Sequence, residues 1–234
     1  MIIGYDEHVF GCPMKRLKFL ILSLIMNSST LSALTIINIQ QPEHLSVLKI
    51  RAQLVSFPLS KDDSRLIYEM KKKLHELGGV GLAAPQVNQA RQILAIYIPE
   101  DAALLRERVK PYPMHVMINP SYEATPGATI GYDFEACYSV PTKAGKVPRY
   151  EEIKLSYYDE VGQHHQSVEH GFYARVIQHE IDHLNGTLII DRLTPDCVQG
   201  SVEEMMKLRR AELSEDKRIL FDKLTEKKIK AQHE

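Results

Sequence analysis

Cysteine is scarce in this chain of 234 residues: only Cys12, Cys137 and Cys197. An odd, widely spaced set excludes an even disulfide framework. It fits a reducing compartment or a chemical role for one thiol. No apolar run approaches the ~20 residues needed to span a bilayer. Neither sign of charge dominates. The net charge is -1, so no global attraction to DNA or to an acidic surface is implied. Internal repeats and low-complexity linkers are also missing. What is present is globular: 44% hydrophobic and 25% charged residues, in a length that suits one domain with extensions.

The first 33 residues stand apart. From Met14 the chain reads Lys15-Arg16-Leu17-Lys18, then the apolar run Phe19 to Met26, then small residues up to Ala33. Basic, apolar and small segments in that order make up a secretory signal. A short N-terminal extension or helix is the plainer alternative, with Met14 as an alternative start. If the segment directs export, the mature protein starts near Ala33 or Leu34. N-terminal sequencing from the native cell would then find neither Met1 nor Met14. A cytoplasmic protein is the expectation retained here.

Residues 34–200 read as the folded domain. Leu34 to Ile39 is β-rich. Ser64 to Leu77 carries Leu66, Ile67, Met70, Leu74 and Leu77 at helical spacing, and Gly78-Gly79 stops it. Strands are expected at Ile93–Ile98, at His115–Ile118 after a turn at Pro111 to Pro113, across Val147–Tyr158, and at Thr187–Ile190. Asp159 to Gly162 reads as a hairpin turn. Gly171 through Leu184 forms a helix ended by Gly186. Residues 201–234 read as one charged C-terminal helix.

Within the Gly171–Leu184 helix lies His179-Glu180-Ile181-Asp182-His183. Positions i and i+4 share one helical face, so His179 and His183 present two imidazoles toward one point. Glu180, beside the first, is placed to move a proton of a metal-bound water. Phe172 and Val176, seven and three residues before His179, fall on the same face. They are candidates for an apolar pocket wall, or ordinary core. A catalytic metal needs a third ligand. Downstream, only His233, Glu203 and Glu204 are candidates, and no extended metzincin pattern follows. Upstream, Cys137 is either a thiolate ligand or a small buried hydrophobe. A zincin-type metallopeptidase remains the competing reading. The glycine-containing stretch at 79–86 lacks a following GK[ST], so a phosphate loop carries little weight.

Three stretches taken together resemble the peptide deformylases. They are Gly79-Val80-Gly81-Leu82-Ala83-Ala84-Pro85-Gln86, Glu135-Ala136-Cys137-Tyr138-Ser139, and Gln178 through Gly186 with the HExxH core. The resemblance runs from about Leu34 to about Leu193. It implies an α+β fold, with antiparallel sheets around a central HExxH helix and a C-terminal helix. It implies one divalent metal held by Cys137, His179 and His183: iron(II), with zinc, nickel or cobalt able to replace it. The implied substrate is the N-formylmethionyl end of a new polypeptide, with Glu180 as acid–base and Gln86 and the Tyr138 backbone N–H as oxyanion donors. Val80 and Gly81 are implied to pair with the peptide as an added strand. The tail from Val202 onward is near charge balance, which gives a ribosome-docking role little support. The second motif departs from the family: Ala136 and Tyr138 stand where glycine and leucine are common. Ala136 is costly only at a positive φ, and the Tyr138 ring is expected over the pocket mouth. An arginine found after this motif in some members is absent, with Lys143 and Lys146 as nearby substitutes.

Overall fold

The run Ile93–Ile98 is apolar or aromatic at every position, as a strand covered on both faces requires. The structure, a computed structural model, describes residues 34–106 and 109–233, with side chains through 226. The signal-like segment lies outside the described residues. In chain order the elements are α1 (Leu45–Leu48), α2 (Lys61–Leu77), β1 (Gly81–Ala83), β2 (Ile93–Ile98), α3 (Glu100–Leu104), β3 (Tyr112–Ala124), β4 (Ile130–Cys137), β5 (Val140–Tyr150), β6 (Glu152–Tyr158), β7 (His164–His170), α4 (Gly171–Leu184), α5 (Ile189–Arg192), β8 (Gln199–Gly200), α6 (Val202–Glu212) and α7 (Glu215–His233). Short 3-10 turns at Pro42–His44 and Ala84–Val87 complete the set. Five strands form one sheet in the order β1-β2-β3-β6-β7, and β4-β5-β8 form a second. All named pairs are antiparallel. This is the expected α+β architecture.

Alternation along β2 explains its composition. Leu94, Ile96 and Ile98 pack with Ala174, Ile177, Ile181 and Leu184 of α4. Ile93 and Ala95 pack with Leu66, Ile67, Met70 and Leu74 of α2. The five-stranded sheet is therefore clamped between two helices. Helix α2 starts at the Ser60 cap, whose side chain accepts from Asp63 N–H, and ends at Gly78 in the left-handed conformation.

Helix α4 is buried nearly all round, with eleven of its residues inside. Its apolar stripe meets the larger sheet. Its polar residues Arg175, Gln178 and Asp182 bond to residues of β4 and β5 in the smaller sheet. After its last turn Gly186 adopts φ +73°, and a Cβ there would lie 2.6 Å from the Lys49 backbone. Only glycine meets both conditions.

Several expectations need correction. Leu34 to Ile39 is not a strand. Ile37 N–H donates to Gln86 O and Ile39 N–H to Ser139 O, so this segment braces two loops without joining a ladder. The expected turn at Pro113 lies inside β3, close to its start, where a missing N–H is tolerated. Val147–Tyr158 is not one strand. The chain changes sheets at Glu151, whose N–H donates to Thr129 O. Thr187–Ile190 is not a strand either: Asp191 accepts from Leu188 N–H and starts the short α5. The C-terminal segment is two helices. Leu213 is buried in an extended conformation, and that breaks the first helix before Ser214.

Candidate metal centre and active site

Two elements bring the clustered residues together. Cys137 ends β4, while His179 and His183 sit one turn apart on α4. Their ligand atoms, one sulfur and two nitrogens, all lie within 4.8 Å of one another. Cys137 Sγ is 3.2 Å from His183 Nε2. The residues alone left the third donor open and the resemblance implied Cys137; the structure brings its sulfur beside both imidazoles. The downstream carboxylates face elsewhere: Glu203 pairs with Lys207, and Glu204 caps α6 at Ser201.

The donors suit a divalent transition metal of borderline softness. Burial opposes a proton on His179, yet hydrogen bonds to Cys137 and Glu135 override it and raise its pKa well above the ordinary value. Burial, then the charge of His179, lowers His183 well below its ordinary value and keeps its lone pairs available.

Glu135 orients the first imidazole. Its Oε2 accepts from His179 Nδ1 at 2.8 Å, which turns Nε2 of the ring toward the cluster. Arg149 grips both carboxylate oxygens, at 3.0 and 2.9 Å, and Arg175 adds a bond at 2.8 Å. Burial alone would raise the Glu135 pKa. The Arg149 guanidinium and the His179 bond hold it far below the usual carboxylate range. Arg149 also donates to Asp182, which Arg192 holds from the other side. Sequence reasoning gave no role to Glu135, Arg149, Arg175, Asp182 or Arg192. The one available signal was that Glu135 and Asp182 lie inside the quoted motifs as charged residues in apolar surroundings.

Gln86 is aimed by its own backbone neighbour. Its Oε1 accepts from Ala83 N–H at 2.9 Å, which leaves Nε2 facing Cys137 Sγ at 3.6 Å. The side chain is 2% exposed, so this amide is a preorganised donor at the cluster. Glu180 is buried, with no hydrogen-bond partner for Oε2. Burial raises its carboxyl to about 7, a value suited to accepting and releasing a proton near neutrality.

At Gly81 the missing side chain makes room for that of Glu180: a Cβ there would stand 2.3 Å from Glu180 Oε1. Gly81→Ala should therefore displace the carboxylate. The expected result is about a hundredfold loss in kcat with metal content retained, checked by steady-state kinetics beside metal analysis.

A sequence profile described as polypeptide deformylase matches residues 33–199. The chain belongs to the peptide deformylase family. Peptide deformylase 2 of Rickettsia conorii is 36% identical over 173 residues, covering 72% of this chain and 85% of the relative. The Met-Ala-Ser-bound class I type b peptide deformylase of Acinetobacter baumannii is 30% identical, with TM-score 0.60, over 69% of this chain and 99% of the other. The actinonin complex of the Synechococcus elongatus deformylase aligns with TM-score 0.59 and 30% identity, over 79% of this chain and 88% of the other.

The remaining predicted residues of this deformylase are placed as follows. Val80 and Gly81 lie at or beside β1, at one edge of the five-stranded sheet. Phe172 and Val176 sit in the α4 cluster together with Val80. Ala136 is exposed and has no positive φ, so the extra methyl group meets neither strain nor crowding. Lys146 is unsuited as a substitute anchor, because it pairs with Glu212 and lies over Phe134. The Tyr138 hydroxyl donates to Leu77 O at 2.9 Å.

Proposed function

We propose that this chain removes the formyl group from the N-terminal formyl-methionine of newly made polypeptides. Membership of the deformylase family supports the reaction. The carrying observation is the convergence of Cys137, His179 and His183 with the Glu180 carboxylate and the Gln86 amide in one buried place. Anaerobically purified protein loaded with iron(II) or nickel should release formate from a formyl-methionyl peptide. No release from the loaded protein would sink the reading.

Cys137, His179 and His183 would hold the metal, which supplies Lewis acidity and an activated water. Glu180 would accept a proton from the attacking water at a carboxylate oxygen and hand it to the departing amine. Gln86 Nε2 donates to the oxygen on which charge develops, and the Tyr138 backbone N–H is the second donor. One such donor is typically worth ~3 kcal/mol of barrier. Glu135 holds the His179 ring in register throughout. Val80 and Gly81 offer backbone groups of an edge strand to an extended peptide. Phe172 and Val176 form the apolar wall for the methionine side chain.

Iron(II) is the metal proposed, with zinc, nickel and cobalt as substitutes. Activity of the iron form should then decay in air through oxidation of metal or sulfur, and the nickel form should last longer. Equal lifetimes would speak against iron. A substrate made at the ribosome places the protein in the cytoplasm, and no helix of the described residues is long and apolar enough to cross a membrane. Residues 34–200 would then be the catalytic unit. Residues 201–234 would form an appended helical segment, whose α6 packs Met205 beside Phe134 and Ala144. Contact with the ribosome would fall to that segment.

A further inference from the structure

We infer that the Tyr138 hydroxyl fastens the two walls of the peptide groove together where the peptide leaves, and so sets affinity for residues beyond the formyl-methionine. This rests on the deformylase reading of the site. One wall is the edge strand at Val80–Gly81. The other is the turn after Cys137. The reacting end lies where Gly81 meets the Glu180 carboxylate.

From that end, a peptide added along the edge has two directions. Toward Ala83 the way is closed. Residues 81–87 are all buried, and Ala83 N–H is already bonded to the Gln86 side chain. Toward Gly78 the edge is less closed: Val80 is half-buried and Gly78 exposed, with Gly79 between them buried against Tyr138. At ~3.3 Å per residue, two residues carry the chain from Gly81 to Gly79. Tyr138 stands there: a Cβ on Gly79 would lie 3.2 Å from its Cε2 and 3.3 Å from its hydroxyl.

The hydroxyl reaches on to the carbonyl of Leu77, the last residue of α2. Carbonyls in the last turn of a helix lack helical donors. Tyr138 supplies one across 61 residues of sequence, and so joins the metal-binding turn to the segment that leads into β1. A leucine at this position has no donor to do this. The groove is thus held at its exit before the peptide arrives, which lowers the ordering cost of binding.

The test compares Tyr138→Phe and Tyr138→Leu with wild type on two substrates, formyl-methionine amide and formyl-Met-Ala-Ser. The short one ends before Gly79. For Tyr138→Phe, KM for the longer peptide should rise about five-fold, the scale of one lost hydrogen bond. The rise should be smaller for the amide, and kcat should change less than KM. Tyr138→Leu should show the same ordering. Amide exchange at Gly79 and Val80 should be faster in both variants. An equal KM penalty on both substrates, a kcat loss tracking lost metal, or wild-type KM with wild-type exchange would overturn the inference. If wild type itself releases no formate, the deformylase reading fails. Exchange then still decides the latch: faster at Gly79 and Val80 in Tyr138→Phe upholds it, and unchanged rates overturn it.

Discussion

Glu180→Gln should leave a folded, metal-loaded protein that releases formate about a thousandfold more slowly than wild type. Glutamine keeps the size and shape of the side chain, so Gly81 and the α4 packing have nothing new to accommodate. What it loses is a site for a proton. General acid–base groups contribute typically 10²–10⁴-fold, and here one carboxylate is assigned both transfers. Because Glu180 is not among the clustered donors, metal content should match wild type. The acid limb of the pH profile follows the same carboxyl. Burial raises its pKa to about 7, so the carboxylate base is present above that range and lost as pH falls through it. A bound cation shifts the limb downward. In the glutamine variant the residual rate should lack this limb. Full activity in a folded, metal-loaded variant would remove Glu180 from its role.

The second large effect is on the metal. Cys137→Ser should weaken metal binding by more than about a hundredfold, since even outer-shell changes cost 10–100-fold, and formate release should disappear with it. The thiol is 7% exposed and packs with Val140, Val147, Leu188 and Ile189. Serine is close to it in volume, so the metal-free fold should persist, as a thermal melt of the stripped protein can check. A zincin-type peptidase, with its third ligand downstream, would keep its metal in this variant. Wild-type metal content after dialysis would therefore overturn the Cys137 assignment.

What could be read from the chain was local. Leu66, Ile67, Met70, Leu74 and Leu77 repeat at the helical period, and α2 follows. Ile93–Ile98 is apolar throughout, and β2 is buried on both faces. The failures were places where a longer-range contact outweighed pattern. Residues 147–158 alternate in part and read as one strand, yet the chain leaves one sheet for the other at Glu151. Thr187–Ile190 has strand-like composition, yet the Asp191 carboxylate captures the Leu188 N–H and starts a helical turn. The charged C-terminal segment reads as one helix, yet Leu213 is buried in an extended conformation.

The same division holds at the site. The sequence by itself determined the pairing of His179 and His183, because a helical turn fixes residues four apart on one face. It also placed Glu180 beside them and presented three motifs in order. Only the tertiary structure brings the Cys137 sulfur beside the two imidazoles, since nothing local relates the end of β4 to α4. It alone showed Arg149 and Arg175 gripping the Glu135 carboxylate that orients His179, Gly81 making room for Glu180, and the Tyr138 hydroxyl reaching Leu77. Side-chain periodicity reports which face a residue occupies. It carries no record of which distant residue packs or bonds there, and the chemistry of this site depends on those distant partners.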